Sequence, residues 1–118
     1  MKPNNIILDK SKLFALSIIK LYKYLCKEKK EFVISKQILR SATSIGANAK
    51  EASLSQSKRD YIAKLSISLK EAGESEYWLE LLYDSKFIDE KKYNFLYYKN
   101  TEIIRIITSI LKTARNNL

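Results

Sequence analysis

Apolar residues recur at steps of three and four in four stretches of this chain, and no proline follows Pro3 to interrupt them. That spacing puts them on one side of an α-helix, whereas a half-buried strand needs a step of two. Phe14, Ile18, Leu21 and Leu25 form the first stripe, with Tyr22 beside it, and Ile38, Ala42, Ile45, Ala49 and Ala52 form the second. The third runs through Ile62, Leu65, Leu69, Ala72, Glu76, Leu79 and Tyr83. The fourth uses Leu96, Asn100, Ile103, Ile107, Ile110 and Ala114. Four such stripes with short connections predict an all-α fold, an antiparallel up-down-up-down four-helix bundle. Its helices are expected over residues 10–28, 34–53, 58–84 and 90–115, with 1–8 a flexible lead-in and 9–118 one bundle domain.

Helix ends are marked by side chains that accept hydrogen bonds from unpaired N–H groups. Asp9 or Ser11 is expected to cap the first helix. Ser57-Lys58-Arg59-Asp60 has the form of a capping box before the third, with Asp in the place of Glu or Gln. Asp89 is expected to cap the fourth, after a turn at Asp84-Ser85-Lys86. The second helix is thin, because Ala42, Ala49 and Ala52 lie on its buried side with Gly46 next to them. Small residues allow a neighbouring axis to approach toward the short end of the usual range, about 8 Å. Gly46 and Gly73 each cost about 1 kcal/mol relative to Ala in a helix, so both are expected at close contacts.

What is missing from the composition narrows the chemistry. The chain has 118 residues, no His and a single cysteine, Cys26. Zinc and copper sites built on nitrogen and sulfur are therefore not expected within one chain, and neither is an intrachain disulfide. Ser-His-Asp and Cys-His nucleophiles are absent for the same reason. Two glycines cannot make a glycine-rich phosphate loop. A non-enzymatic protein without a cofactor is expected. With no apolar run of about 18 residues and no secretory leader in MKPNNIILDK, the expected location is the cytoplasm.

Some residues do not suit a simple bundle. Glu76 interrupts the third apolar stripe, where a carboxylate must be paired, hydrogen-bonded or protonated. Ser41, Asn48 and Asn100 are its candidate partners. Two readings stand: a buried polar network that fixes helix register, or a functional acid with a raised pKa. Arg40, Ser44 and Glu51 form a second stripe on the second helix, either a solvated face or a subunit contact. Ile67, Trp78 and Leu82 lie largely opposite the third helix's core stripe. Exposed apolar area of that kind usually meets a partner, and Trp is a common interface anchor, so a homo-oligomer is expected.

Charge is unevenly placed along the chain, whose net is +9. Residues 1–70 hold 15 basic and 5 acidic groups, and residues 71–118 hold 7 and 8. In the first helix Lys12, Lys20, Lys23, Lys27 and Lys30 fall within about 80° of arc at about 100° per residue. They face away from the Phe14/Ile18/Leu21/Leu25 stripe and span about 27 Å at 1.5 Å per residue. Such a row can follow phosphates and bind by releasing counterions. Lys50, Lys58 and Arg59 offer a second patch. A solvated face is the plain alternative, and an anionic membrane a weaker one, since this helix's apolar side is used by the bundle. No base-reading motif accompanies the lysines, so phosphate and shape recognition is expected.

Two segments carry a resemblance: QILRSATSIGANAKEA, and SQSKRDYIAKLSISLKEAGESEYWLELL. Together they resemble the signature of the four-helix-bundle proteins encoded in intervening sequences of bacterial 23S rRNA genes. The matching residues are Arg40, Ser41, Ala42, Ser44, Ile45, Asn48 and Glu51, then Glu71, Glu74, Ser75, Glu76 and Tyr77-Trp78-Leu79. Ala49-Lys50-Glu51-Ala52 departs from a common form of the pattern, Ile-x-Glu-Gly. The resemblance implies assembly into a homo-oligomeric ring, commonly a pentamer. It also implies kinship with the accessory variability protein of diversity-generating retroelements, a basic pentamer that associates with a reverse transcriptase and nucleic acid. On that footing the expected partners are a nucleic acid, RNA over DNA, and a reverse transcriptase.

Overall fold

A computed structural model describes the backbone of residues 3–117 and the side chains from residue 6 to residue 117. Four helices account for nearly all of it: α1 (Pro3–Lys27), α2 (Ile34–Ser53), α3 (Lys58–Asp84) and α4 (Glu90–Asn116). No strand occurs among the described residues. The bundle is a rod of 47 × 22 × 21 Å. Each helix packs on two others, α1 on α2 and α4, and α3 on α2 and α4; the α2–α3 seam is the most intimate and α1–α4 the loosest.

The N-terminal expectation needs correction. Residues 3–8 are the first turns of α1, and Ile7 is fully buried in the core. Pro3 stands at the first helical position, where its missing N–H costs no hydrogen bond. Residues 1 and 2 of the expected lead-in lie outside the described residues. Asp9 and Ser11 are therefore interior positions of α1 and not caps. Ser11 is buried, its hydroxyl donating to the Leu8 carbonyl at 3.3 Å.

The other ends follow local chemistry. Ser57 accepts from the Asp60 N–H at 3.0 Å and Asp89 from the Lys92 N–H at 2.8 Å, opening α3 and α4. At the end of α3, Lys86 adopts φ 67°, the Lys86 N–H returns to Tyr83 O at 3.0 Å and the Phe87 N–H to Leu82 O at 2.9 Å. That pair of bonds satisfies carbonyls the helix would otherwise leave open.

Helix α2 is opened by a residue the apolar pattern does not flag. Glu31 accepts from the N–H groups of Val33 at 3.0 Å, Ile34 at 2.9 Å and Ser35 at 2.7 Å. Burial alone pushes its carboxyl up. The bonds from Ile34, Ser35 and Val33 overcome that and hold it below the usual carboxylate range. Lys30, just before it, takes φ 54°, and the Glu31 N–H closes back on Leu25 O at 3.0 Å.

The core of α3 is rotated from the expected stripe by about 60° at about 100° per residue. The buried positions are Leu65, Ser68, Ala72, Ser75, Leu79 and Leu82. Leu69, Glu76 and Tyr83 are only half-buried. Two serines hold core positions, so the large apolar side chains alone point to the wrong centre. Leu82 is fully buried and is not an interface residue. Glu76 lies beside the seam, and Ser75 takes the interior place expected for it.

The serines are where α2 and α3 meet. Ser41 Oγ lies 2.8 Å from Ser75 Oγ, and Ser68 Oγ donates to Ile45 O at 2.8 Å. Each such bond is worth about 1 kcal/mol net, and an unpaired buried hydroxyl costs about 1–3 kcal/mol. Gly46 serves the α1–α2 contact, since a Cβ there would meet Ser11 Oγ at 3.1 Å. Gly73 does not repeat this: it is exposed, and a Cβ would meet nothing within 4 Å.

Two outcomes are expected. Gly73→Ala should raise unfolding stability by about 1 kcal/mol, the helix-propensity difference, in urea denaturation; a loss of stability would show that another chain covers this position. Glu31→Gln should destabilise by about 1–3 kcal/mol at neutral pH. Because Glu31 is depressed in the fold, its contribution is present above its ordinary value of 4.5 and is lost as pH falls below it. The variant should flatten that part of the stability–pH curve.

Candidate nucleic-acid interface

With the core on one side of α1, its lysines are left on the other. Lys12, Lys20, Lys23 and Lys27 are exposed along the helix, and Lys30 is exposed in the turn that follows. Among the described residues, the ion pairs are Lys10–Glu102 at 3.3 Å, Lys64–Glu51 at 3.0 Å and the bonds from Arg40 to Glu71 and Glu74. None of the five lysines takes part in one. Lys12 and Lys50 line one shallow groove between α1 and α2, with Ser11, Ala15, Thr43, Gly46 and Ala47 on its floor and walls. Lys20 lines another, on the α4 side, with Tyr24, Ile88, Asp89 and Lys92. Lys58 donates to Asn117 O at 3.1 Å beside the α2–α3 turn, and Arg59 is exposed next to it. The α1 row and the Lys58/Arg59 pair are thus separate patches, with Lys50 beside the Lys12 end of the row.

The α2 stripe expected at a subunit contact is occupied within the chain. Arg40 donates to Glu71 at 3.1 Å and also to Glu74, which accepts from Trp78 Nε1 at 3.2 Å. Burial pushes the Glu74 carboxyl up, but bonds from Arg40 and Trp78 bring it below the ordinary range. Glu51 pairs with Lys64 across the same two helices. Ser44 donates to Arg40 O at 2.7 Å, and Asn48 to Ser44 O at 2.9 Å, so both bond back to their own helix. Asn48 is half-buried and takes no part in an interhelical network among the described residues. Asn100 is fully buried and donates to Ala72 O at 2.8 Å, while its Oδ1 has no partner among the described residues. Glu76 makes no hydrogen bond or ion pair among the described residues, and it meets neither Asn100 nor Ser41 there.

Exposed apolar surface lies elsewhere. Ile67 is exposed on α3, but Trp78 is half-buried against the core cluster. Leu13 (64% exposed), Leu16, Phe95 and Tyr98 stand out on α1 and α4, the loosely packed side. Leu13 and Phe95 line a cavity of about 240 Å³ there with Phe14, Ser17 and the Lys10–Glu102 pair. Leu13 and Leu16 fall outside the first apolar stripe, a signal already present in the sequence. On the α3–α4 edge, Tyr83 and Tyr93 stack at 4.5 Å and Tyr97 continues the row at 5.3 Å. Glu76, Glu80 and Asp84 lie close enough, after burial, to help raise the Tyr93 phenol above its ordinary value. Glu76, Glu80 and Asp84 thus cluster at this tyrosine edge, while Asp9 lies beside Lys12 and Asp89 beside Lys20.

No group of three His, Cys, Asp or Glu among the described residues is arranged to hold a metal ion, and no helix there is long and apolar enough to cross a membrane. No curated protein matches the chain. A crystal structure of a protein of unknown function from the S23 ribosomal protein family of Bacteroides thetaiotaomicron superposes with a TM-score of 0.92 at 52% identity. The match covers 94% of this chain and 99% of that one. The family pattern described as 23S rRNA-intervening sequence protein matches residues 3–109, and the chain belongs to that family.

Proposed function

We propose that this chain is a non-enzymatic, basic protein that binds nucleic acid, RNA in preference to DNA, through the exposed lysines of α1. One observation carries the reading: five lysines in a row face solvent, and none of them takes part in an ion pair among the described residues. Lys50 extends the row, and Lys58 and Arg59 add a second patch. Phosphates bridging several such lysines release counterions, a gain that needs no base-specific group. The preference for RNA draws on the family's name, which ties it to 23S rRNA intervening sequences.

The helices run antiparallel in up-down-up-down order in this reading. Pairs such as Ser41 with Ser75, Ile45 with Ser68 and Glu51 with Lys64 support it, since residue numbers fall on one helix as they rise on the other. The protein assembles with copies of itself, a pentameric ring being what the family resemblance favours. Exposed Leu13, Phe95 and Tyr98 make the α1/α4 side the better contact surface, whereas Leu16 falls within the arc of the lysines. The Arg40/Glu51 side already has its pairs. Its place is as a cytoplasmic accessory to a reverse transcriptase or an rRNA-linked element. The same apolar strip also favours a second reading, an adaptor oligomer whose partner is another protein.

Replacing Lys20, Lys23 and Lys27 together by Glu separates the two. RNA binding measured by fluorescence anisotropy should be abolished while the thermal unfolding curve and circular dichroism stay those of the wild type. Unchanged affinity would remove the α1 lysines from the proposal and leave the adaptor reading.

A further inference from the structure

The turn between α1 and α2 exposes two apolar side chains that the fold does not use. Phe32 is 51% exposed and Val33 71%, and neither packs against the core cluster. A loose turn would let such side chains fold down onto the bundle, but this turn is held. Glu31 on one side of Phe32 accepts three N–H bonds from residues 33–35, and its own N–H is bound to Leu25 O. Ser35 Oγ donates to Glu31 O at 2.8 Å, and Lys30 is fixed in the left-handed region. The aromatic ring is therefore presented on a stiff support.

Charge surrounds it. Lys27, Lys29, Lys30 and Lys36 lie within five residues of Phe32, against Glu28 and Glu31, and Glu31 is committed to the α2 N-terminus. All four lysines are exposed. Lys29 also borders a groove with Tyr24, Tyr83, Asp84 and Lys86, so the lysines nearest α1 join this tip to the α1 row. An exposed aromatic ring between phosphate-binding groups is the arrangement that holds single strands. Lysines follow the backbone, and an unpaired base stacks on the ring whatever its identity.

We infer that Phe32 is a stacking platform for an unpaired base, so that the α1–α2 tip selects single-stranded or looped nucleic acid over a continuous duplex. This rests on the nucleic-acid reading above and adds the class of ligand to it. A duplex keeps its base faces covered by neighbouring pairs and offers the ring nothing, while its phosphates still meet the lysines. A Phe-Val tip among lysines also suits an anionic membrane. That alternative is disfavoured because two side chains bury little apolar area.

The test uses the full chain with a short labelled single-stranded RNA and a duplex of the same length. Phe32→Ala should weaken single-strand binding on the order of tenfold, the size of one lost base stack. Phe32→Trp should restore it, and neither change should alter duplex affinity or the slope against salt. Equal single-strand affinity for wild type and Phe32→Ala would overturn the inference while the lysine reading stood. So would an equal loss on both RNAs, or a Phe32-dependent association with phosphatidylserine vesicles that leaves RNA binding unaffected. Failure of the wild type to bind either RNA at low salt would overturn both this inference and the reading beneath it.

Discussion

The contact on which the structure depends is the serine seam between α2 and α3. Ser41 meets Ser75, and Ser68 reaches the Ile45 carbonyl, within a wall of Ala42, Ala49 and Ala72. Side chains this small bring the two axes together, and the buried hydroxyls are satisfied by each other and by backbone. Arg40, reaching over to Glu71 and Glu74, and Glu51, paired with Lys64, clamp the outer side of the same seam. Exposed pairs of this kind are individually worth little, with values from about zero to 1 kcal/mol. Their larger effect is on register, because sliding α3 by one turn would separate the seam hydroxyls and the ion pairs together. Arg40, Ser41, Ala42 and Ile45, which carry the resemblance in this sequence, are thus chiefly residues of helix contact.

That arrangement determines what is left for function. With Glu51, Glu71 and Glu74 paired on α2 and α3, and Glu76, Glu80 and Asp84 gathered near the tyrosines of α3 and α4, no ion pair among the described residues engages the lysine row on α1. Its lysines face water along much of a 47 Å rod. The stiff α1–α2 turn at one end of the helix follows from Glu31, whose carboxylate replaces the missing side-chain cap of α2.

Much of the fold was legible in the sequence because long helices with apolar steps of three and four leave few alternatives. The caps at Ser57 and Asp89, and with them the starts of α3 and α4, follow from turn and capping chemistry. The start of α1 was not legible from its stripe, because Asn4 and Asn5 sit near its beginning and Ile7 joins the core one turn before the obvious apolar run. The facing of α3 failed for a different reason. Ser68 and Ser75 carry no apolar signal, so the apolar stripe centres on Leu69, Glu76 and Tyr83 and leaves Leu82 on the wrong side. Their burial depends on Ser41 and Ile45 in another helix, information that no window within α3 contains. The lysine row could be read from spacing, whereas the engagement of Arg40 and the stiffness at Phe32 needed three dimensions.

Affinity for a structured RNA measured over a series of salt concentrations tests the central claim most directly. If about five lysines neutralise phosphates, log affinity should fall linearly with log salt with a slope of about −3 to −5. A flat dependence, or no binding at low salt, would contradict the account and leave a basic helix face with no polyanion to meet.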